Sequence, residues 1–167
     1  MKKAILALAC MILVLGIVAA ASAQEEGLNG KTELSVAADW TKIDSDSATT
    51  ITLGVGKFVT PNVEPGLDLQ YQKATGSDVA WALVPNVSWN FISETTTNVV
   101  PFIGVGWAFV RSGGIDDNAL VLDAGARFFL DGDYKTSGTS LFLKCQYTND
   151  LFGSNINQIT LGLSKFF

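Results

Sequence analysis

Histidine occurs at none of the 167 positions. That absence removes the usual general base, the usual metal ligand and any Ser-His nucleophile. The carboxylates that crowd together, Asp44 with Asp46 and Asp116 with Asp117, have no histidine nearby to orient a water, so they read as solvated loop charge. Their spacing does not match a loop built for Ca²⁺ either. No catalytic residue, metal or cofactor is expected. What is left is a set of charges of both signs: Glu33, Asp39, Asp68, Asp123, Arg127 and Lys144. Each lies inside a segment where every second residue is apolar. Charges placed that way share one side of a strand, where they can pair with one another or line a polar path.

The elements that position them are legible from period two. One face carries Leu34, Val36, Ala38 and Trp40, then Ile51, Leu53 and Val55, then Leu67, Leu69 and Tyr71, then Trp81, Leu83, Val87 and Trp89. The second half continues with Ile103, Val105 and Trp107, with Leu120, Leu122 and Phe128, with Leu141, Leu143, Cys145 and Tyr147, and with Ile159, Leu161, Leu163 and Phe167. Clusters of Gly, Asp, Asn, Ser and Pro separate the segments, which number eight. The opposite face holds the six charges together with Gln70, Gln72, Asn86, Asn90, Gln146, Thr160 and several glycines.

The chain opens with Met1-Lys2-Lys3, runs uncharged and apolar to Ala21, and reaches Ala21-Ser22-Ala23 before Gln24-Glu25-Glu26. This is the layout of a secretory signal peptide cleaved after Ala23. The expected organisation is a leader at 1–23, a short segment at 24–30 and one domain at 31–167. Cleavage removes two lysines and moves the formal charge from −5 to −7, which argues against nucleic acid as a partner. It leaves Cys145 as the only cysteine, so no intrachain disulfide can form.

Alternation alone permits a soluble sheet with its apolar face inward or a membrane barrel with that face outward. The aromatics favour the barrel. Trp40, Tyr71, Trp81, Trp107 and Tyr147 fall toward one rim, and Trp89, Phe128 and Phe167 toward the other, giving two girdles of the kind that sit at membrane interfaces. Lys57, Lys73 and Lys165 share the apolar face only near segment ends, where a long stem can snorkel. Pro85 stands inside the fourth segment without an amide hydrogen, and a bulge is expected there. With the amino terminus in the periplasm, the inner turns fall at 60–65, 93–98 and 131–138, and the outer loops at 44–48, 75–78, 111–118 and 149–155.

At Leu53-Gly54-Val55-Gly56-Lys57-Phe58-Val59-Thr60-Pro61-Asn62, at Pro101-Phe102-Ile103-Gly104-Val105-Gly106-Trp107 and at the ending Leu161-Gly162-Leu163-Ser164-Lys165-Phe166-Phe167, the chain resembles the small eight-stranded outer-membrane barrels, such as the membrane domain of outer-membrane protein A. The resemblance covers the whole region after the leader. It implies an all-β, antiparallel, up-and-down transmembrane barrel in the outer membrane of a Gram-negative bacterium. It also implies contact with outer-membrane lipid and lipopolysaccharide, and recognition by the barrel-assembly machinery through the last strand, with Gly162 and Phe167 matching its signal. Lys165 departs from that pattern, leaving two alternatives: Phe166 substitutes through a local register change, or recognition is weaker.

The expectation is therefore a non-enzymatic envelope barrel with a structural or surface role, whose lumen is filled by the network of Glu33, Asp39, Asp68, Asp123, Arg127 and Lys144. Eight strands leave an interior just wide enough for side chains. The alternatives are a narrow channel for small hydrophilic solutes, and an adhesin using the 111–118 or 149–155 loop with Leu151 and Phe152 as its apolar pair.

Overall fold

The structure, a computed structural model, describes residues 28–43, 46–76, 78–92, 98–130, 132, 134–135 and 138–167, with backbone alone at 40–43, 46–47 and 154. The expected leader, residues 24–27 and most of the 93–98 turn lie outside the described residues. Eight strands follow one another: β1 (Thr32–Ile43), β2 (Asp46–Lys57), β3 (Val63–Ala74), β4 (Val79–Asn90), β5 (Val99–Ser112), β6 (Ile115–Phe129), β7 (Thr139–Leu151) and β8 (Ser154–Phe166). Each pairs antiparallel with the next, and β8 returns to β1 to close the barrel. Closure gives every strand a neighbour on both sides, so none stands at a sheet edge.

Side chains split cleanly between the two surfaces. On β8, Ile159 and Leu161 are 67% and 52% exposed while Thr160 between them is 2% exposed. The same alternation holds on β2, where Ile51, Leu53 and Val55 stand outward and Thr50 and Thr52 are buried. Of the two architectures that alternation permits, the molecule adopts the one with apolar residues outside and polar residues inside.

The strands run 12 to 15 residues, longer than the hydrophobic pattern alone marks. Residues 63–65, expected in an inner turn, open β3, and 115–118 and 149–151, expected in outer loops, belong to β6 and β7. Backbone pairing carries on past the point where apolar alternation stops, because the ladder needs only amides and carbonyls. The outer connections shrink accordingly. Gly113 and Gly114 join β5 to β6 with φ of 56° and 84°, and Phe152 and Gly153 join β7 to β8 with φ of 49° and 78°. Two consecutive left-handed residues match the twist of the flanking strands.

Pro85 behaves differently from expectation. Leu83 pairs with Phe109 and Asn86 with Gly106, so the register is the same on both sides of Pro85 and no residue is inserted. The missing amide instead interrupts the ladder to β5 at Val84 and Pro85, while pairing to β3 continues through Leu67. The register shift in the described ladders lies between Thr148 and Leu151, where Asp150 takes a φ of 57°.

Candidate lumenal site

The interior is layered. At the end where β1 begins, Leu28, Phe58, Val100, Phe129, Tyr134 and Phe166 form a buried apolar floor. Phe129 stacks against Phe166 at 5.4 Å between ring centres and meets Tyr134 at 6.5 Å. Leu28, from the segment before β1, and Tyr134, from the β6–β7 connection, both reach inward to complete this floor.

Arg127 of β6 rises from it. Its Nη2 donates to Glu33 Oε2 at 2.9 Å and to Glu64 Oε2 at 2.6 Å, and its Nη1 donates to Asn90 Oδ1. The guanidinium lies 4.5 Å from the Phe102 ring centre and 5.8 Å from that of Phe58. Ser164 Oγ donates to the other oxygen of Glu33. Glu33, Glu64, Asn90 and Phe102 come from β1, β3, β4 and β5, so one side chain ties four other strands to β6, and Ser164 adds β8 through Glu33. Further along, Lys144 Nζ stands 3.6 Å from both Asp68 Oδ2 and Asp123 Oδ2. Glycines make the room: a Cβ at Gly56 would collide with the Glu64 carboxylate, and one at Gly162 with the Phe142 ring.

The structure brings five of the six expected lumenal charges into these two clusters. Asp39 is also buried but sits farther along β1, flanked in the ladder by Thr50 and Thr160. Glu64 was missed, because residues 60–65 read as a turn. Its signal was present in the alternation, since Glu64, Gly66, Asp68, Gln70 and Gln72 are spaced two apart on one face.

A cavity of about 60 Å³ adjoins both ion clusters, and a second of about 30 Å³ lies beyond, against Gln70, Gln146 and Gln158. Beside the second, Ala82, Val84, Ala108, Val110, Ala119, Val121 and Leu151 close part of the outer mouth with apolar packing. Leu151 is therefore buried, leaving Phe152 alone exposed of the pair expected to serve an adhesin. Among the described residues, no group of His, Cys, Asp and Glu is arranged to hold a metal.

On the outer surface, Trp81, Trp89, Phe128 and Phe167 are exposed, and Tyr71, Trp107 and Tyr147 half-buried. Tyr71 meets Trp81 edge-on at 4.8 Å. The Nε1 of Trp107 is covered by protein, with no hydrogen-bond partner among the described residues. The side chain of Trp40 lies outside the description. Just past the last strand Phe167 is exposed, and within the strand Gly162 faces Phe142, Lys165 stays outward and Phe166 enters the lumenal floor. Phe166 thus does not take the place of Lys165 through a register change in the folded barrel.

The fold is that of the small eight-stranded outer-membrane barrels. The N-terminal β-barrel domain of Pseudomonas aeruginosa OprF superposes with a TM-score of 0.62 at 13% identity, over 83% of this chain and 98% of that one. Neisserial surface protein A superposes at 0.60 with 13% identity, over 82% and 96%. The Yersinia pestis outer membrane protein Ail does so at 0.53 with 11% identity, over 83% and 99%. No family model and no curated protein matches the sequence.

Proposed function

We propose that this chain is an integral outer-membrane barrel of a Gram-negative bacterium, exported by a cleaved leader, with a non-enzymatic structural or surface role and a lumen filled by its own side chains. The observation that carries the reading is the inversion of polarity around a closed ladder. Leu34, Leu53, Leu69, Ile103, Leu122, Leu143 and Leu161 all point away from the barrel and are 43% exposed or more, while Glu33, Arg127 and Lys144 are buried inside it. A soluble monomer rarely exposes contiguous apolar patches beyond ~300–600 Å². A belt drawn from every strand suits hydrocarbon, and a closed ladder suits a solvent that offers the backbone no hydrogen bonds.

The filled lumen is supported by the small size of two cavities that share no lining residue and by the apolar floor at one end. Engineered apolar cavities of ~150 Å³ hold a benzene molecule, so the spaces here suit water rather than a passing solute. Outer-membrane lipid and lipopolysaccharide would surround the belt, and the outward Phe167 would present the last strand to the barrel-assembly machinery. Refolding of residues 24–167 into detergent, followed by gel electrophoresis with and without heating and by planar-bilayer recording, tests the reading. A heat-dependent mobility shift without conductance steps is expected. Folding in buffer without detergent would overturn the membrane assignment, and regular conductance steps would replace the filled lumen with a channel.

A further inference from the structure

The described side chains at the two rims differ in charge: the rim of the outer hairpins carries Asp78, Asp116, Asp117 and Asp150 beside Lys73 and Arg111, whereas the opposite rim, where β1 starts and β8 ends, carries Lys31, Lys57, Lys135 and Lys165. These lysines gather along one seam. Lys57 of β2 pairs with Thr32 of β1, Lys165 of β8 pairs with Leu34 of β1, and Lys31 Nζ donates to the Lys135 carbonyl at 3.0 Å. Lys57 and Lys165 therefore flank β1 on the lipid-facing side, with backbones roughly 10–12 Å apart for two strand spacings and a two-residue offset. Two lysine side chains can converge across such a gap. Among the described residues neither forms an ion pair. Lys165 Nζ lies 3.4 Å from Thr139 Oγ1, a long contact with a neutral oxygen that a phosphate would displace. Directly beyond them toward the middle of the belt, Leu34 and Leu163 are 48% and 47% exposed.

We infer that this seam is a binding site for an anionic phospholipid of the periplasmic leaflet. The headgroup phosphate sits between Lys57 and Lys165, and the acyl chains lie along Leu34 and Leu163. The inference rests on the membrane reading above, which supplies both the apolar solvent and the rim's position at a headgroup layer. Charge complementarity decides the lipid class. A protein of formal charge −5, more negative still once the leader is removed, repels anionic lipid as a whole, so any preference for it must come from a local basic patch. Each lysine at an anionic surface is worth roughly fivefold in association.

The test is native mass spectrometry of residues 24–167 released from vesicles of equimolar phosphatidylglycerol and phosphatidylcholine, each sample first checked for the heat-dependent gel shift. The inference expects phosphatidylglycerol adducts to exceed phosphatidylcholine adducts by roughly fivefold or more. It expects the preference to vanish in Lys57→Gln/Lys165→Gln, to persist in Lys57→Arg/Lys165→Arg, and to be unchanged by Lys73→Gln near the other rim. A folded barrel with no preference, or one whose preference survives the double glutamine change, overturns the lipid site while leaving the barrel intact. A wild-type chain without the gel shift overturns the membrane reading and this one together.

Discussion

Replacing Arg127 with Met should be the most damaging single change in the lumen. The guanidinium is the only cation in contact with Glu33 and Glu64 among the described ion pairs, and all three side chains are 7% exposed or less. Removing it deletes two hydrogen bonds to carboxylates, ~1.5–3 kcal/mol each, besides the one to Asn90. It also leaves two buried carboxylates with no compensating charge. Breaking a buried ion pair from one side costs ~3–5 kcal/mol, in line with that sum. The cost lies in the stranded carboxylates and not in the lost attraction, so Arg127→Met/Glu33→Gln/Glu64→Gln should regain most of it. Urea unfolding in phospholipid vesicles, followed by tryptophan fluorescence, measures both differences. A loss below ~1 kcal/mol for the single change would mean that water reaches the cluster and screens it. A triple variant as unstable as the single one would mean that Arg127 matters for its packing and not for its charge.

Other changes probe the faces and the turns. Leu122, at the middle of β6 and facing outward, should cost ~2–4 kcal/mol when changed to Arg in a bilayer, whereas lumenal Gln72→Arg should cost clearly less. Equal losses in the vesicle unfolding assay would mean the faces are reversed. Gly162→Val should impair folding, because its side chain would enter the Phe142 ring, and Phe142→Ala in the same chain should recover part of the gel-shifted fraction. Phe152 holds a φ of 49° in the β7–β8 turn, a conformation costing a non-glycine residue ~1–2 kcal/mol. Phe152→Gly should therefore raise the urea midpoint, and a lowered midpoint would show that the exposed ring makes contacts that outweigh the backbone strain.

Period two made the barrel legible because an outward apolar face and packed polar groups inside impose opposite demands on successive residues. Leu53 and Thr52, or Leu161 and Thr160, state both demands in adjacent positions. The signal fades where the demands fade. Residues 115–118 and 149–151 extend β6 and β7 beyond the apolar belt, and there Asp116, Asp117, Asn118, Asn149 and Asp150 alternate with nothing that marks a strand. Glu64 was hidden for a related reason: Thr60, Pro61 and Asn62 are strong turn residues, and Pro65 made the next two positions look like a continuation. Pro85 misled in the opposite sense. A proline can be accommodated by leaving one side of the ladder open at Val84 and Pro85 as well as by inserting a residue, and sequence does not distinguish these. The partners within the lumen were out of reach in a different way. Which carboxylate meets Arg127 depends on the stagger between strands, and no single strand's pattern contains it.

That interior bears on where a function can reside. From the β1 end the lumen passes from an aromatic floor to an ion layer and then to a mixed wall of Gln, Thr, Ala and Val, with side chains packed at each level. Two of the four outer connections, expected as loops of several residues, are turns at Gly113-Gly114 and Phe152-Gly153, and Leu151 has gone inward. On the proposed reading of a filled lumen a solute has little passage, and the two two-residue turns give a protein partner little to grip. What the fold does offer is its perimeter: an apolar belt on all eight strands, with the lysines Lys57 and Lys165 flanking β1 at one rim. On the proposed reading, such a perimeter would act on the membrane through the lipids it contacts, and the lysines flanking β1 would give that rim different lipid neighbours from the other.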